Sequence, residues 1–270
     1  MAPSAEPQAR LFTLPKADGS ATYSYGGYTI TASANGPIEA QRRDEDPDEA
    51  IVDVVVRPAA GIGGPSERHL ESLLQKTLQE IVLVQDFPRC AIQVVLQIQA
   101  VPENDYVNSR LHLPGTNLGV LPALIQSAVL ALLAASIPMR TTVTATSVAV
   151  LPGLAGGALR STQIVGNFSP REAAAARSTH VFAFSAQADR LLLAESDGAF
   201  TLDEWDEVLA AARKICCQGT SLEGRGGEER GPDDMVLDSG GSSSNTNDAD
   251  MRAFLRSTVE GKIEDALHLQ

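Results

Sequence analysis

Apolar positions along the chain change period several times, and each change marks an element. In "CAIQVVLQIQAV", Ile92, Val94, Leu96 and Ile98 fall on one side and Gln93, Val95, Gln97 and Gln99 on the other, the alternation of a strand with one apolar face. Ahead of it, "GPSERHLESLLQKTLQEIVLV" carries Leu70, Leu74, Leu78 and Ile81 at helical spacing, with Ser66 as the expected N-cap and "DFPR" as the turn into the strand. Behind it runs a long apolar segment, residues 118–137. Pro122 is tolerable there only in a first helical turn, so the segment predicts a helix that begins near Gly119 and stops at Pro138. The β-branched "TTVTATSVAVLP" reads as the next strand, completing a strand, helix, strand unit.

The flanks follow the same logic. "ATYSYGGYTITASANGP" predicts two strands joined at Gly26-Gly27, and "AIVDVVVRP" predicts a third. "THVFAFSA" and "RLLLAESDGAF" predict a hairpin turning at residues 187–189. "TLDEWDEVLAAARKICC" predicts a helix opened by a Thr201/Glu204 capping box, with a core-facing stripe of Trp205, Val208, Leu209, Ala212 and Cys216. Strands and helices in this mixture make an α+β architecture of mixed sheets packed with helices. One domain is expected over residues 1–218, an acidic Gly/Ser-rich linker over 219–249, and an amphipathic helix over 250–270. The helical stripe is Met251, Phe254, Leu255, Val259, Ile263 and Leu267, and its expected docking surface is a neighbouring subunit rather than its own core.

The apolar segment is about long enough to span a bilayer, but Gln126, Ser127, Ser136 and five alanines leave it thin; a helix buried in a globular core is expected, with no membrane contact. Net charge is −13, and residues 39–53 (seven acids, two bases) and 218–270 (eleven acids, five bases) hold most of it, leaving about −2 for the rest. The balance argues against autonomous nucleic-acid binding through a broad basic face and leaves room for a local RNA path within an assembly. Cys90, Cys216 and Cys217 offer neither a disulfide framework nor a zinc motif, which fits a reducing intracellular compartment, and "MAPSAEPQARLF" lacks the pattern of a secretory signal.

Several of these stretches, in order, resemble the RNase PH family: "ADGSATYSYGGYTITASANGPIEA", "VVVRPAAGIGGPSERHLESLLQKTLQEIVLVQDFPRCAIQVVLQIQ" and "LPALIQSAVLALLAASIPM". The narrower resemblance is to an RNase PH-like ring subunit of the eukaryotic RNA exosome. It covers roughly residues 18–216, with insertions near 42–48 and 101–114. It implies an RNase PH-like fold with two βαβ-type halves. The implied partners are other RNase PH-like exosome ring subunits, cap subunits, and RNA threaded through the ring, in the nucleus and nucleolus and also the cytoplasm.

Active relatives degrade RNA 3′ to 5′ by phosphorolysis, which needs positive charge for the attacking phosphate and a proton donor. The resemblance places a Gly-Gly-Thr-Arg-type phosphate turn before the Ala-rich helix. Here Gly115 and Thr116 stand in that turn, but Asn117 takes the arginine's place and supplies neither charge nor a bidentate fork. The aspartate cluster of active relatives falls on residues 151–184, which contain no aspartate and only Glu172, in a Pro-Arg-Glu-Ala context typical of a surface helix or turn. His69, His112, His180 and His268 have no metal-ligand spacing, and Cys216-Cys217 lies at a helix end without a base. The implied function is a non-catalytic ring subunit without cofactor or metal, and Arg57, Arg68 and Arg110 are the RNA-binding candidates. The alternatives are an active phosphate-dependent exoribonuclease completed by a partner subunit, and a homo-oligomer outside the exosome.

Overall fold

The computed structural model describes residues 6–43, 45–102, 118–152, 163–217 and 251–268. Strands β1 (Gln8–Leu11), β2 (Gly19–Tyr25), β3 (Tyr28–Glu39), β4 (Ile51–Arg57) and β5 (Cys90–Ala100) form a five-stranded sheet in the order β1-β2-β3-β5-β4. Helix α1 (Pro65–Ile81) crosses from β4 to β5, which pair in parallel, so this is a βαβ unit; the other pairs of the sheet are antiparallel. Helix α2 (Leu121–Ala134) leads to the second sheet, ordered β7-β6-β8-β9 and antiparallel throughout, from β6 (Val143–Leu151), β7 (Gln163–Gly166), β8 (Ser178–Ser185) and β9 (Leu191–Gly198). A short α3 (Pro170–Ala175), α4 (Leu202–Cys217) and α5 (Met251–His268) complete the order.

The alternation of β5 holds: Ile92, Val94, Leu96 and Ile98 are buried, and the residues between them are half-exposed. They join Ile30, Ala32 and Ala34 of β3 and the leucines of α1 and α2 in one continuous core. Successive residues of a strand face opposite ways, and in the second sheet both faces are covered. Val143, Ala145, Val181 and Ala183 belong to the first core, while Val148, Val150, Phe182 and Phe184 pack with α4 in a second one. Among the described residues no helix is long and apolar enough to cross a membrane, and residues 121–132 of α2 are buried except Pro122.

Gly26 and Gly27 both have positive φ (58° and 87°), the left-handed pair that a tight two-residue hairpin requires. Gly19 answers a different need. A Cβ there would lie 2.2 Å from the Ala135 backbone nitrogen, so the "DGSA" glycine lets β2 approach the end of α2. Asp18 accepts the Gly36 N–H at 2.9 Å and donates its own N–H to Asn35 Oδ1 at 3.3 Å, which ties "DGSA" to "NGPIE".

Four expectations change. Helix α1 is capped at Gly64, not Ser66, because Pro65 suits the first helical position and Glu67 accepts the Gly64 N–H at 2.6 Å. Helix α2 starts two residues after Gly119, following a 3₁₀ turn over residues 118–120. The strand, helix, strand unit joins two different sheets: β5 already has β3 and β4 on its two edges, so β6 has no free edge of β5 to pair with. Finally, α5 docks on its own chain. Leu255 is 4% exposed in the first core, Met251 and Phe254 pack beside it, and the Phe254 ring meets Tyr23 edge-on at 6.2 Å. Strands β1 and β7, absent from the sequence reading, are four residues each, too short to show a period.

Candidate functional site

Two of the three arginines proposed for RNA meet in one cleft. Arg57 is the last residue of β4, Arg68 lies in the second turn of α1, and the loop of residues 58–64 between them closes a cleft of about 380 Å³. Arg57 is exposed, and Ile62 at the loop tip is 99% exposed. Arg110 lies outside the described residues.

The cleft is less positive than its arginines suggest. Arg68 Nη1 donates to Glu71 Oε2 at 3.0 Å, the arginine side chain 82% exposed and the glutamate 13%. The other Glu71 oxygen accepts the Val56 N–H at 3.0 Å, which blunts the open edge of β4. Glu67 occupies the Gly64 N–H at the start of α1, so the positive end of that helix is already answered by a carboxylate. Gln97 Nε2 holds the loop by donating to the Pro58 carbonyl at 3.0 Å. Two guanidinium groups against two carboxylates suit separate contacts to successive phosphates of a passing strand, not the seating of two anions side by side.

The turn with Gly115, Thr116 and Asn117 lies outside the described residues, as do His112 and residues 153–162 of the aspartate-free stretch. Its one carboxylate, Glu172, is described and is engaged in capping. Glu172 Oε2 accepts from the Ser169 N–H at 2.7 Å and the Ser169 hydroxyl at 2.9 Å, while Ser169 Oγ accepts the Glu172 N–H at 3.4 Å. The "PREA" segment is thus a capped surface helix. Among the described residues no three His, Cys, Asp or Glu side chains are grouped to hold a metal.

His69 is exposed on α1. His180 is buried in β8, its Nδ1 2.8 Å from Ser196 Oγ and its Nε2 3.0 Å from Ser178 Oγ, with the Phe200 ring edge-on at 4.9 Å. Burial pushes its pKa below the ordinary imidazole value, with the Glu204 charge opposing, so it is a satisfied neutral core residue.

One cluster escaped the sequence reading. Asp189, in the β8–β9 turn, accepts from Arg252 Nη2 at 2.6 Å, its backbone carbonyl accepts from Arg213 at 3.4 Å, and Cys217 is hydrogen-bonded to it. Arg252 also donates to the Ser185 carbonyl at 3.2 Å. Burial, then the Asp189 hydrogen bond, pushes the Cys217 thiol up to about 11, which removes it as a nucleophile at neutral pH. The cluster joins the end of α4, the start of α5 and the hairpin. Its partners lie far apart in sequence and share no motif, so no local signal announces them.

The comparisons agree with the fold and its order of motifs. Residues 8–138 match the RNase_PH model, "3' exoribonuclease family, domain 1". The chain is 34% identical over 131 residues to the "Exosome complex component rrp46" of Schizosaccharomyces pombe, covering 48% of this chain and 52% of that protein. It is 31% identical over 127 residues to the "Exosome complex exonuclease RRP46 homolog" of Oryza sativa, covering 47% of each. The chain thus spans about half the length of these two relatives. With the Saccharomyces cerevisiae "Exosome complex component RRP46" the identity is 25% over 214 residues, 77% of this chain and 89% of that one. The crystal structure of rice Rrp46 superposes with a TM-score of 0.64 at 23% identity, covering 77% of this chain and 89% of that chain, which establishes the fold. Residues 8–138 thus match the first domain of the RNase PH-type 3′ exoribonuclease family and resemble its Rrp46-type relatives, and the chain shares the fold of rice Rrp46.

Proposed function

We propose that the chain is a non-catalytic structural subunit of an RNA exosome ring, supporting 3′ to 5′ RNA processing and degradation through subunit interfaces and phosphate contacts at Arg57 and Arg68. The observation that carries this reading is the loss of charged chemistry where active relatives need it: Asn117 replaces the phosphate-holding arginine, and the one carboxylate of residues 151–184 caps a helix. The names of the relatives, which are exosome complex components, support membership of that complex; the ring position, with other RNase PH-like subunits and cap subunits as partners, is what the family resemblance implies. A nuclear, nucleolar and cytoplasmic location follows from that reading. The isolated protein, supplied with single-stranded RNA, phosphate and magnesium, is expected to release no nucleoside diphosphates above a no-protein control. Release above the control sinks the proposal.

The second reading, an active phosphorolytic exoribonuclease completed by a partner, is favoured by the word "exonuclease" in the rice relative's name. Repeating the assay on the assembled ring separates the two. Activity that Asn117→Asp abolishes, by setting a negative charge where phosphate would sit, belongs to this chain's site, and activity it leaves intact belongs to another subunit.

A further inference from the structure

The apolar stripe of α5 outruns the surface that its own chain provides. Leu255 is 4% exposed, Val259 one turn later is half-buried, and Ile263 and Leu267, the next two steps of the same i, i+4 row, are 54% and 64% exposed. A cleft of about 400 Å³ opens along this row, with Leu133, Thr142, Leu255 and Val259 in its walls and Arg256 and Glu260 at its rim. Apolar surface therefore continues from a filled core through an open cleft to an exposed ridge.

The chemistry of this surface selects its occupant. A helix satisfies its own backbone, so it offers an extended strand no hydrogen-bond ladder to join; the fitting partner is another helix, seated ridge into groove. The polar flanks are acid-rich: Glu260, Glu264 and Asp265 outnumber Arg256 and Lys262, and Arg256 is engaged with Glu260 at 2.8 Å. A second copy would bring the same acid-rich flank against itself, whereas a helix with basic flanks meets it favourably. We infer that residues 259–267 of α5, with the cleft at their base, seat an amphipathic helix of a neighbouring subunit that presents an apolar i, i+4 ridge flanked by lysine or arginine. This deepens the ring-subunit reading and rests on it for the identity of the neighbour.

The test compares the full chain with Ile263→Asp/Leu267→Asp and, separately, Glu264→Lys/Asp265→Lys. Each is co-expressed with RNase PH-like and cap subunits, and assembly is read by native mass spectrometry and titration while each isolated chain is melted. Both variants are expected to melt like the wild type and to assemble at least about tenfold more weakly, the loss from the charge swap falling as salt rises. Assembly equal to wild type overturns the inference. So does lowered melting of the isolated Ile263→Asp/Leu267→Asp chain, because its own domain then covers the pair, and so does a wild-type self-dimer that this variant dissolves. If the wild type joins none of the subunits, the ring-subunit reading falls and takes the inference with it, and the wild-type control distinguishes that result from the others.

Discussion

The two sheets use the same strand alternation to opposite ends. In the first, one face enters the core and the other carries a polar ladder: Thr22 and Thr31 hydroxyls 3.0 Å apart, Ser24 and Thr29 at 3.2 Å, and Gln93 donating to Asp53 at 3.2 Å. In the second, both faces are covered, so β6 is buried from Val143 to Val150 and β8 along its whole length. A covered face gives a polar side chain no water, so it must find a partner. His180 finds two serines, and Thr146 donates to Asn167 Oδ1 at 3.1 Å. The open sheet can therefore carry a surface residue such as Arg57 at its rim, while the closed sheet serves as scaffold.

The largest expected effect lies in the closed sheet. Phe182 sits in the second core with Trp205 edge-on at 6.1 Å and Phe184 at 6.4 Å. Phe182→Ala is expected to cost about 3–5 kcal/mol, whereas Thr22→Val on the open ladder is expected to cost about 1 kcal/mol or less. Denaturant titration of both variants measures the contrast, and similar losses would break it. Next comes the clasp that α5 places across the first core. Leu255→Ala is expected to lower stability by about 2–3 kcal/mol in the isolated chain, and unchanged melting would mean that α5 is not held by its own domain.

A smaller effect tests the neutral state of His180. Its folded pKa lies below the unfolded value, so the unfolded chain binds the extra proton as pH falls through the ordinary imidazole range near 6.5. The contribution of this site is thus fully present above that range and declines below it. Melting followed from pH 8 to 5 is expected to fall more steeply for the wild type than for His180→Gln, and parallel curves would place the proton uptake elsewhere.

The sequence announced most elements because the period of its apolar residues is set by the surface each one covers. The β5 alternation was legible for that reason, and the Thr201/Glu204 box (Thr201 N–H to Glu204 at 2.8 Å, Glu204 N–H to Thr201 Oγ1 at 3.3 Å) and the Gly26-Gly27 hairpin were legible because cap and turn chemistry is local. Sheet membership was not, because which edges of β5 are already occupied is a property of the whole topology. The docking of α5 was hidden for a similar reason: an apolar stripe reports that a face is covered, not by what. At the candidate site, the arginines were legible as residues near one loop. The carboxylates that answer them, Glu67 and Glu71, read simply as the polar face of a helix.

The smallest expected effect concerns those arginines, and it separates contact with RNA from mere solubility. An ion pair as exposed as Arg68 with Glu71 contributes roughly 0–1 kcal/mol, so Arg57→Ala/Arg68→Ala is expected to leave melting almost unchanged. If both guanidinium groups touch phosphates of a single strand in the assembled ring, removing them lowers the slope of log affinity against log salt by about 1.4, at about 0.7 per phosphate. The affinity loss should be largest in low salt and similar for every sequence tested, because phosphate contacts position RNA without reading bases. Glu71→Gln sharpens the reading from the other side. It frees Arg68 from its ion partner and keeps an acceptor for the Val56 N–H, so RNA is expected to bind slightly more tightly with the fold intact. A salt slope that neither substitution moves would show that RNA does not pass this cleft, and that its arginines serve only the open rim of the first sheet.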